Sequence, residues 1–221
     1  MFLSVVFILV SCDGNWKNEK ANNSESENAI LILAEETENM VVFMGNSITK
    51  SWPRFRPEFF ENNPFVNKGI GGETTSQMLA RFQRDVIDLK PRAVVILAGI
   101  NDIAENTGPI SIPKVAQNIF TMAEMAKEHN IQVVLCSTLP AHDFPWRPGL
   151  NPQMKVPKLN ALIEKYAQGN NIIYINYFAA MADKDNGLRN ELGYDGVHPN
   201  AVGYAVMEPL LLQGLALLQK K

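Results

Sequence analysis

The stretch that decides the fold is Val41-Val42-Phe43-Met44-Gly45-Asn46-Ser47-Ile48-Thr49. An apolar run that stops at a glycine and is followed by a single serine predicts a buried strand that ends in a tight turn. Open α/β sheets place their chemistry at the carboxyl ends of their strands. We therefore expect the Ser47 hydroxyl to be presented at that edge of a sheet.

Further short apolar runs follow along the chain, and patterns typical of helices separate them. With the first run, the predicted strands are Val41 to Met44, Phe65 to Asn67, Ala93 to Leu97, Val133 to Ser137 and Ile172 to Ile175. Continuous apolar strands that alternate with helices favour a parallel sheet covered on both faces. We expect an α/β fold: a three-layer α/β/α sandwich with a mainly parallel sheet of about five strands.

Two helices have clear boundary signals. Ser111 can cap one helix, and Asn200 can open the last helix, which is predicted to end at Lys220 and Lys221. Pro209 should kink that last helix, because proline removes one of its backbone hydrogen bonds. The helix after Ser111 has one apolar stripe, formed by Val115, Ile119, Met122 and Ala126.

Size and charge limit the classes of function. A chain of 221 residues with 46% hydrophobic residues can bury a full core and fits one domain better than two. A net charge of -3 and the lack of a basic stripe argue against a nucleic-acid partner.

The first twelve residues differ in kind from the rest. Phe2 to Val10 is an apolar run too short to span a bilayer, but it suits the core of a signal peptide. Leu9-Val10-Ser11-Cys12 resembles a bacterial lipobox, in which Cys12 would be lipidated. We expect a lipid-anchored protein of the bacterial cell envelope; the alternatives are an ordinary signal peptide with secretion to the periplasm, or a buried apolar start.

The expected domain plan follows from this beginning. Residues 1–12 are the predicted lipoprotein-type signal peptide, and residues 13–36, poor in apolar side chains, are a predicted flexible tether. The catalytic domain is expected at residues 37–221. Cys136, the other cysteine, lies in a predicted strand and is interpreted as a small buried hydrophobic residue.

A second chemically suggestive segment, Asp195-Gly196-Val197-His198-Pro199, lies near the other end of the chain. Serine is a weak nucleophile unless a base takes its proton, and His198 with Asp195 could supply a base that a carboxylate orients. Of the other histidines, His129 falls at a predicted helix end and is interpreted as structural. His142 is either a substrate contact or an exposed residue.

Two glycine-containing segments can supply donors to a developing oxyanion. Asn67 to Thr74 is expected to follow a strand and open a helix, and Ala98 to Asp102 ends the third strand. The backbone N–H groups of Ser47 and Gly72, with the side-chain amide of Asn101, would form an oxyanion hole. The neighbouring Asp102 is expected to hold loop backbone rather than assist His198.

The least regular segment is the proline-rich run from Leu139 to Pro152. It is either a loop that faces substrate or a loop that packs onto the domain as a lid. The candidate substrate-binding residues are His142, Trp146 and Arg147 from this run, with Glu73 and Thr74 from the glycine-containing segment.

Other site types fit the sequence poorly. Thr74 stands where a dinucleotide-binding G-x-G-x-x-G pattern needs its third glycine, and Thr49 stands where a G-x-S-x-G elbow needs its second. No His, Cys and carboxylate cluster has the spacing of metal ligands. We expect neither a metal nor a cofactor.

Four blocks together resemble the SGNH subgroup of the GDSL esterase/lipase family. They are Gly45-Asn46-Ser47, Gly69-Ile70-Gly71-Gly72-Glu73-Thr74, Gly99-Ile100-Asn101-Asp102 and Asp195-Gly196-Val197-His198. The resemblance implies a flavodoxin-like fold without a metal, Ser47 as nucleophile, His198 as base with Asp195 as its partner, and Gly72 and Asn101 as oxyanion donors. Asn46 departs from the family, which usually has aspartate there, but an asparagine can still pin the turn by hydrogen bonding.

The function that follows is hydrolysis of carboxylic esters through an acyl-serine intermediate, with small-molecule or polysaccharide esters as substrates. Short O-acetyl esters of carbohydrates are the favoured class. The alternatives are a lysophospholipase- or thioesterase-like lipid acylhydrolase, and a surface lipoprotein that binds carbohydrate or lipid without catalysis.

Overall fold

The computed structural model describes residues 39–218, and strands alternate with helices throughout that range. The strands are β1 (Val41–Gly45), β2 (Phe65–Gly69), β3 (Ala93–Leu97), β4 (Gln132–Cys136) and β5 (Ile173–Ile175). They form one sheet in the order β2-β1-β3-β4-β5, and every neighbouring pair is parallel. The predicted α/β class and the five-stranded parallel sheet are confirmed.

The helices are α1 (Ser47–Phe55), α2 (Pro57–Glu61), α3 (Thr75–Asp85), α4 (Ile100–Ile103), α5 (Ile112–Glu128), α6 (Pro152–Gly169), α7 (Tyr177–Met181) and α8 (Ala201–Ala216). As predicted, Ser111 caps α5, and Asn200 caps α8 by accepting the N–H groups of its first turn. Helix α8 continues through Pro209 and ends at Ala216, because the N–H of Leu217 bonds to the carbonyl of Gly214 in a tighter final turn. The predicted end at Lys220 and Lys221 lies outside the described residues.

The strand order explains the layers. The chain moves from β1 to β2 in one direction along the sheet and then returns past β1 to β3, β4 and β5. Since crossovers between parallel strands are right-handed, α1 and α3 must lie on opposite faces. Helix α5 packs against α3 and against α6 on one face, and α8 packs against both α1 and β5 on the other.

The point where the strand order reverses lies between β1 and β3. Gly45 at the end of β1 pairs in register with Gly69 of β2 and with Leu97 of β3. The three segments that follow these strands therefore leave the sheet at one edge, where α/β sheets form their binding crevice.

Helix α8 is fixed to α1 by buried polar contacts. The hydroxyl of Tyr204 donates to the carbonyl of Ile48 at 2.7 Å, and the indole N–H of Trp52 donates to Glu208 at 3.3 Å. These contacts bring the loop that precedes α8 beside the start of α1.

Candidate active site

Ser47 is the first residue of α1, directly after the turn that ends β1. The Oδ1 atom of Asn46, which is buried, accepts the N–H of Ile48 at 3.0 Å and caps the helix. The cap uses a carbonyl oxygen, which asparagine and aspartate both have, so Asn46 can pin this turn without a charge.

The end of β2 passes very close to the first turn of α1. A Cβ atom on Gly69 would lie 2.7 Å from the Cα of Lys50 and 2.8 Å from the carbonyl oxygen of Asn46. Only glycine fits this approach without a shift of the backbone. The loop after β2 is thereby held next to Ser47.

The loop before α8 brings His198 and Asp195 to the same place. Ser47 Oγ lies 2.9 Å from Nε2 of His198, and the Nδ1–H of His198 donates to Oδ2 of Asp195 at 2.7 Å. The other carboxylate oxygen, Oδ1, accepts the backbone N–H groups of Val197 and His198. The carboxylate thus fixes both the loop and the orientation of the imidazole.

The ionisation of Asp195 determines the tautomer of His198. Burial alone would raise the pKa of the Asp195 carboxyl, but hydrogen bonds from the backbone and ring of His198 and from the backbone of Val197 outweigh it and lower that pKa. An ionised Asp195 accepts the proton on Nδ1, so in the neutral ring Nε2 carries a lone pair toward the Ser47 hydroxyl.

The three predicted oxyanion donors lie on Ser47 itself and on the segments that follow β2 and β3. The N–H of Ser47 belongs to the first turn of α1, which has no helical acceptor for it. Gly72 has a φ of 80°, a left-handed conformation that glycine adopts without strain. The Asn101 amide, which is buried, donates one hydrogen to the carbonyl of Glu73 at 2.9 Å and keeps a second for another acceptor.

Asp102 holds backbone, as expected from the sequence. Its carboxylate accepts the N–H of Thr75 at 2.9 Å and the Thr75 hydroxyl at 2.6 Å, at the start of α3. Burial raises the pKa of Asp102, although the Thr75 hydrogen bonds oppose the effect.

Two exposed aromatic rings flank His198. Tyr194 stacks on the imidazole with ring centroids 5.7 Å apart, and Trp146 lies 5.9 Å away from it at a tilt. Asn106 accepts the indole N–H of Trp146 and donates to the carbonyl of Gly72, so it links the proline-rich loop to the glycine-containing loop. Neither Tyr194 nor Asn106 is among the site residues predicted from the sequence; the one available signal was the position of Tyr194 next to Asp195.

The other candidate substrate-binding side chains have partners within the protein. Thr74 is buried and forms a capping box with Gln77 at the start of α3, and Glu73 forms an ion pair with Arg81 at 2.7 Å. His142 bonds to Asp183 at 2.7 Å, and Arg147 lies 3.5 Å from Glu105. Of the five candidate substrate-binding residues, only Trp146 lies beside the imidazole of His198.

The proline-rich loop combines the two predicted behaviours. Leu139, Ala141 and Phe144 are buried in the core, whereas Trp146 is 45% exposed. The loop therefore packs onto the domain through one part and presents an aromatic ring beside His198 with another.

His129 and Cys136 have structural environments. His129 ends α5 and donates its Nδ1–H to the carbonyl of Met125 at 2.8 Å. Cys136 is buried at the end of β4, and burial raises the pKa of its thiol to about 12, which keeps it protonated. Both environments agree with the sequence analysis.

Within residues 39–218, no group of three or more His, Cys, Asp and Glu side chains is arranged to hold a metal ion. In the same range, no helix is both long and apolar enough to cross a bilayer. Cys12, the predicted signal peptide and the predicted tether lie outside the described residues.

Comparison with known proteins gives consistent matches. The model of the GDSL-like Lipase/Acylhydrolase family matches residues 43–206. The crystal structure of a GDSL-like lipase from Bacteroides thetaiotaomicron is 44% identical, with a TM-score of 0.81 over 88% of this chain and 96% of that one.

Two curated relatives are more distant. Platelet-activating factor acetylhydrolase IB subunit alpha2 of Rattus norvegicus is 24% identical over 83% of this chain and 79% of that protein. Uncharacterized lipoprotein YqeF of Bacillus subtilis is 35% identical over 82 residues, which span 36% of this chain and only 34% of that protein.

Proposed function

The chain belongs to the GDSL-like lipase/acylhydrolase family, a family of ester hydrolases, and we propose that it cleaves carboxylic esters through an acyl-serine intermediate. The observation that carries this proposal is the hydrogen-bonded series from Ser47 Oγ to His198 at 2.9 Å and from His198 to Asp195 at 2.7 Å. A nucleophile within reach of a base that a carboxylate orients is the arrangement that acyl transfer requires.

In the first half of the reaction, Ser47 Oγ attacks the ester carbonyl carbon while His198 Nε2 takes the hydroxyl proton. The carbonyl oxygen becomes negative and accepts hydrogen bonds from the N–H groups of Ser47 and Gly72 and from the Asn101 amide. Asp195 stabilises the imidazolium that forms. The carbon–oxygen bond to the alcohol then breaks, and His198 gives its proton to the departing alcohol.

The second half repeats these steps with water. His198 takes a proton from a water molecule as its oxygen attacks the acyl carbon, and the same three donors hold the oxyanion. The bond to Ser47 Oγ breaks, the proton on His198 returns to that oxygen, and the carboxylic acid leaves.

We infer that the substrates are short acyl esters of carbohydrates. The support is the exposed ring of Trp146 beside His198; the exposed Tyr194 also lies there, but it stacks on Phe55 as well as on His198. Flat aromatic faces at the mouth of a site suit the apolar faces of sugar rings. The rat relative is named an acetylhydrolase, which agrees with a small acyl group.

We also propose that the protein is attached to the bacterial cell envelope by a lipid on Cys12. The lipobox-like Leu9-Val10-Ser11-Cys12 supports this proposal. The B. subtilis relative is named a lipoprotein, which is consistent with it.

The test is a series of p-nitrophenyl esters from acetate to palmitate, with acetylated xylan as a polymeric substrate. Ser47→Ala should abolish hydrolysis, whereas Ser51→Ala, on the same helix, is the matched control and should not. Activity limited to short chains and released acetate from xylan would support the proposal.

Other outcomes would point elsewhere. Preference for palmitate would indicate the lipid acylhydrolase. Full activity of Ser47→Ala would refute the acyl-serine mechanism, and a wild-type protein inactive on every ester would favour the non-catalytic binding lipoprotein.

A further inference from the structure

Arg81 of α3 places a buried cation beside the candidate oxyanion hole. Its guanidinium donates in three directions: from Nε to Glu73 at 2.7 Å, from Nη1 to Asp85 at 2.7 Å, and from Nη2 to the carbonyl of Gly45 at 3.2 Å. The side chain is 8% exposed. Burying a charge costs free energy unless its donors are well satisfied, and the rigid fork of arginine can satisfy several acceptors at fixed angles.

The contact with Gly45 connects Arg81 to the nucleophile. Gly45 ends β1 and precedes Ser47 by two residues. Its carbonyl also accepts the N–H of Ile70, the first residue after β2, at 3.1 Å. One carbonyl oxygen therefore ties the turn before Ser47 both to the glycine-containing loop and to α3.

The contact with Glu73 connects Arg81 to the oxyanion donors. Glu73 follows Gly72 directly, and its carboxylate is only 14% exposed. Its backbone carbonyl accepts the Asn101 amide, which directs the second amide hydrogen of Asn101. A shift of Glu73 would therefore move the Gly72 donor and release the Asn101 donor.

We propose that Glu73 and Arg81 are positioning residues: their buried ion pair sets the separation between Ser47 and the donors of Gly72 and Asn101. The proposal rests on the ester hydrolase function proposed above. Small errors in donor placement reduce catalysis strongly, because these hydrogen bonds strengthen as the oxyanion forms. Loss of the pair should therefore lower kcat while leaving KM nearly unchanged.

The primary test compares Glu73→Ala with Glu73→Gln in the full chain, with p-nitrophenyl acetate as substrate. Glu73→Ala should lower kcat about tenfold. Glu73→Gln keeps an acceptor for Arg81 and should stay within about threefold of wild type. Gln83→Ala removes an exposed side chain of the same helix that bonds to Asp88 rather than to Arg81 or Asp85, and it is the matched control, with unchanged kcat.

A double-mutant cycle separates positioning from a general loss of stability. If Glu73 acts through the oxyanion donors, Glu73→Ala should lower kcat by a smaller factor in the Asn101→Ala background than in wild type, because one of the two donors that it positions is already absent. If Glu73→Ala does not fold, Arg81→Lys replaces it, because lysine cannot hold Glu73 and Gly45 together. The melting temperature of each variant confirms that the protein assayed is folded.

Three results would overturn the proposal: a folded Glu73→Ala with wild-type kcat, effects that multiply fully in the cycle, or a raised KM with unchanged kcat. A raised KM with unchanged kcat would instead indicate that Glu73 binds substrate. Ser47→Ala assayed in parallel keeps the two proposals apart. If Ser47→Ala remains active, the acyl-serine function fails; if it is inactive while Glu73→Ala is fully active, only the positioning role fails.

Discussion

Ser47 meets its proposed base across 151 positions of sequence, with Nε2 of His198 2.9 Å from its hydroxyl. The geometry depends on local hydrogen bonds at each end. Asn46 caps the helix that starts at Ser47, and Asp195 binds both the backbone and the ring of His198. Each reactive side chain is therefore oriented by residues within three positions of it.

Asn101 provides the sharpest prediction at the scale of single residues. Asn101→Ala should lower kcat by roughly 10²- to 10³-fold, the usual cost of one oxyanion donor, with a much smaller change in KM. Steady-state kinetics on p-nitrophenyl acetate would measure both constants, and the melting temperature would confirm the fold. A wild-type kcat would remove Asn101 from the site without affecting the assignment of Ser47.

At the scale of elements, α3 connects the site to the rest of the domain. The helix begins at Thr75, where Asp102 accepts the backbone N–H and the hydroxyl of Thr75, and it carries Arg81 toward Gly45 and Glu73. It ends at Asp85, which also pairs with Arg81. The buried charges of one helix therefore support both its own stability and the proposed oxyanion loop.

The ionisation of Asp85 on α3 should make the stability of the fold depend on pH. The hydrogen bond from Arg84 lowers the pKa of the Asp85 carboxyl from 3.8 to about 2; burial opposes this shift, and Arg81 adds to it. Because the pKa is lower in the folded protein, the ionised carboxylate stabilises the fold above about pH 4, and this contribution is lost as the pH falls through 2.

Asp85→Asn should therefore lower the free energy of unfolding at pH 5 by on the order of 1 kcal/mol, a modest value because solvent screens the exposed Arg84. The difference from wild type should shrink at pH 2. Urea unfolding at both pH values would measure it. Asp88→Asn is the matched control, because Asp88 accepts from Gln83 rather than from an arginine. A difference that grows as the pH falls would contradict the assigned cause.

At the scale of the whole molecule, the reversal of strand order creates the site. Segments from β1, β2 and β3 meet at one edge of the sheet, and the loop before α8 completes the group. We therefore expect catalysis to need only the folded domain. The proposed lipid anchor, in the part of the chain before residue 39, would affect location and not chemistry.

Cys12→Ser tests whether the anchor affects the location of the protein but not its activity. In a bacterial host that expresses the complete chain, wild-type protein should sediment with membranes, because an acyl chain contributes about 0.8 kcal/mol of binding for each buried CH₂ group. The variant should appear in the soluble fraction with unchanged specific activity on p-nitrophenyl acetate. Cys136→Ala, which removes the other cysteine, is the control and should remain with the membranes. If Cys12→Ser also remained with the membranes, the lipid anchor on Cys12 would be excluded.

Features formed by residues close together in the sequence could be predicted, whereas contacts between residues far apart could not. Strands, helix caps and the pairing of Asp195 with His198 depend on residues a few positions apart, so the apolar runs and motif spacing predicted them. Glu73 and Thr74 are predicted only as possible substrate contacts. In the structure their side chains bind Arg81 and Gln77, and the ion pair of Glu73 also requires α3 to pack where it does.

The linear pattern of apolar runs, caps and short motifs was enough to establish an α/β chain with a serine at a strand end and a histidine–aspartate pair near its other end. Such signals are local, because periodicity and capping act over a few residues. Folding alone decided that Tyr194 and Trp146 flank His198 and that Arg81 joins Gly45 to Glu73. These contacts join different elements, and their geometry exists only once the strands are ordered and the helices are packed on the sheet.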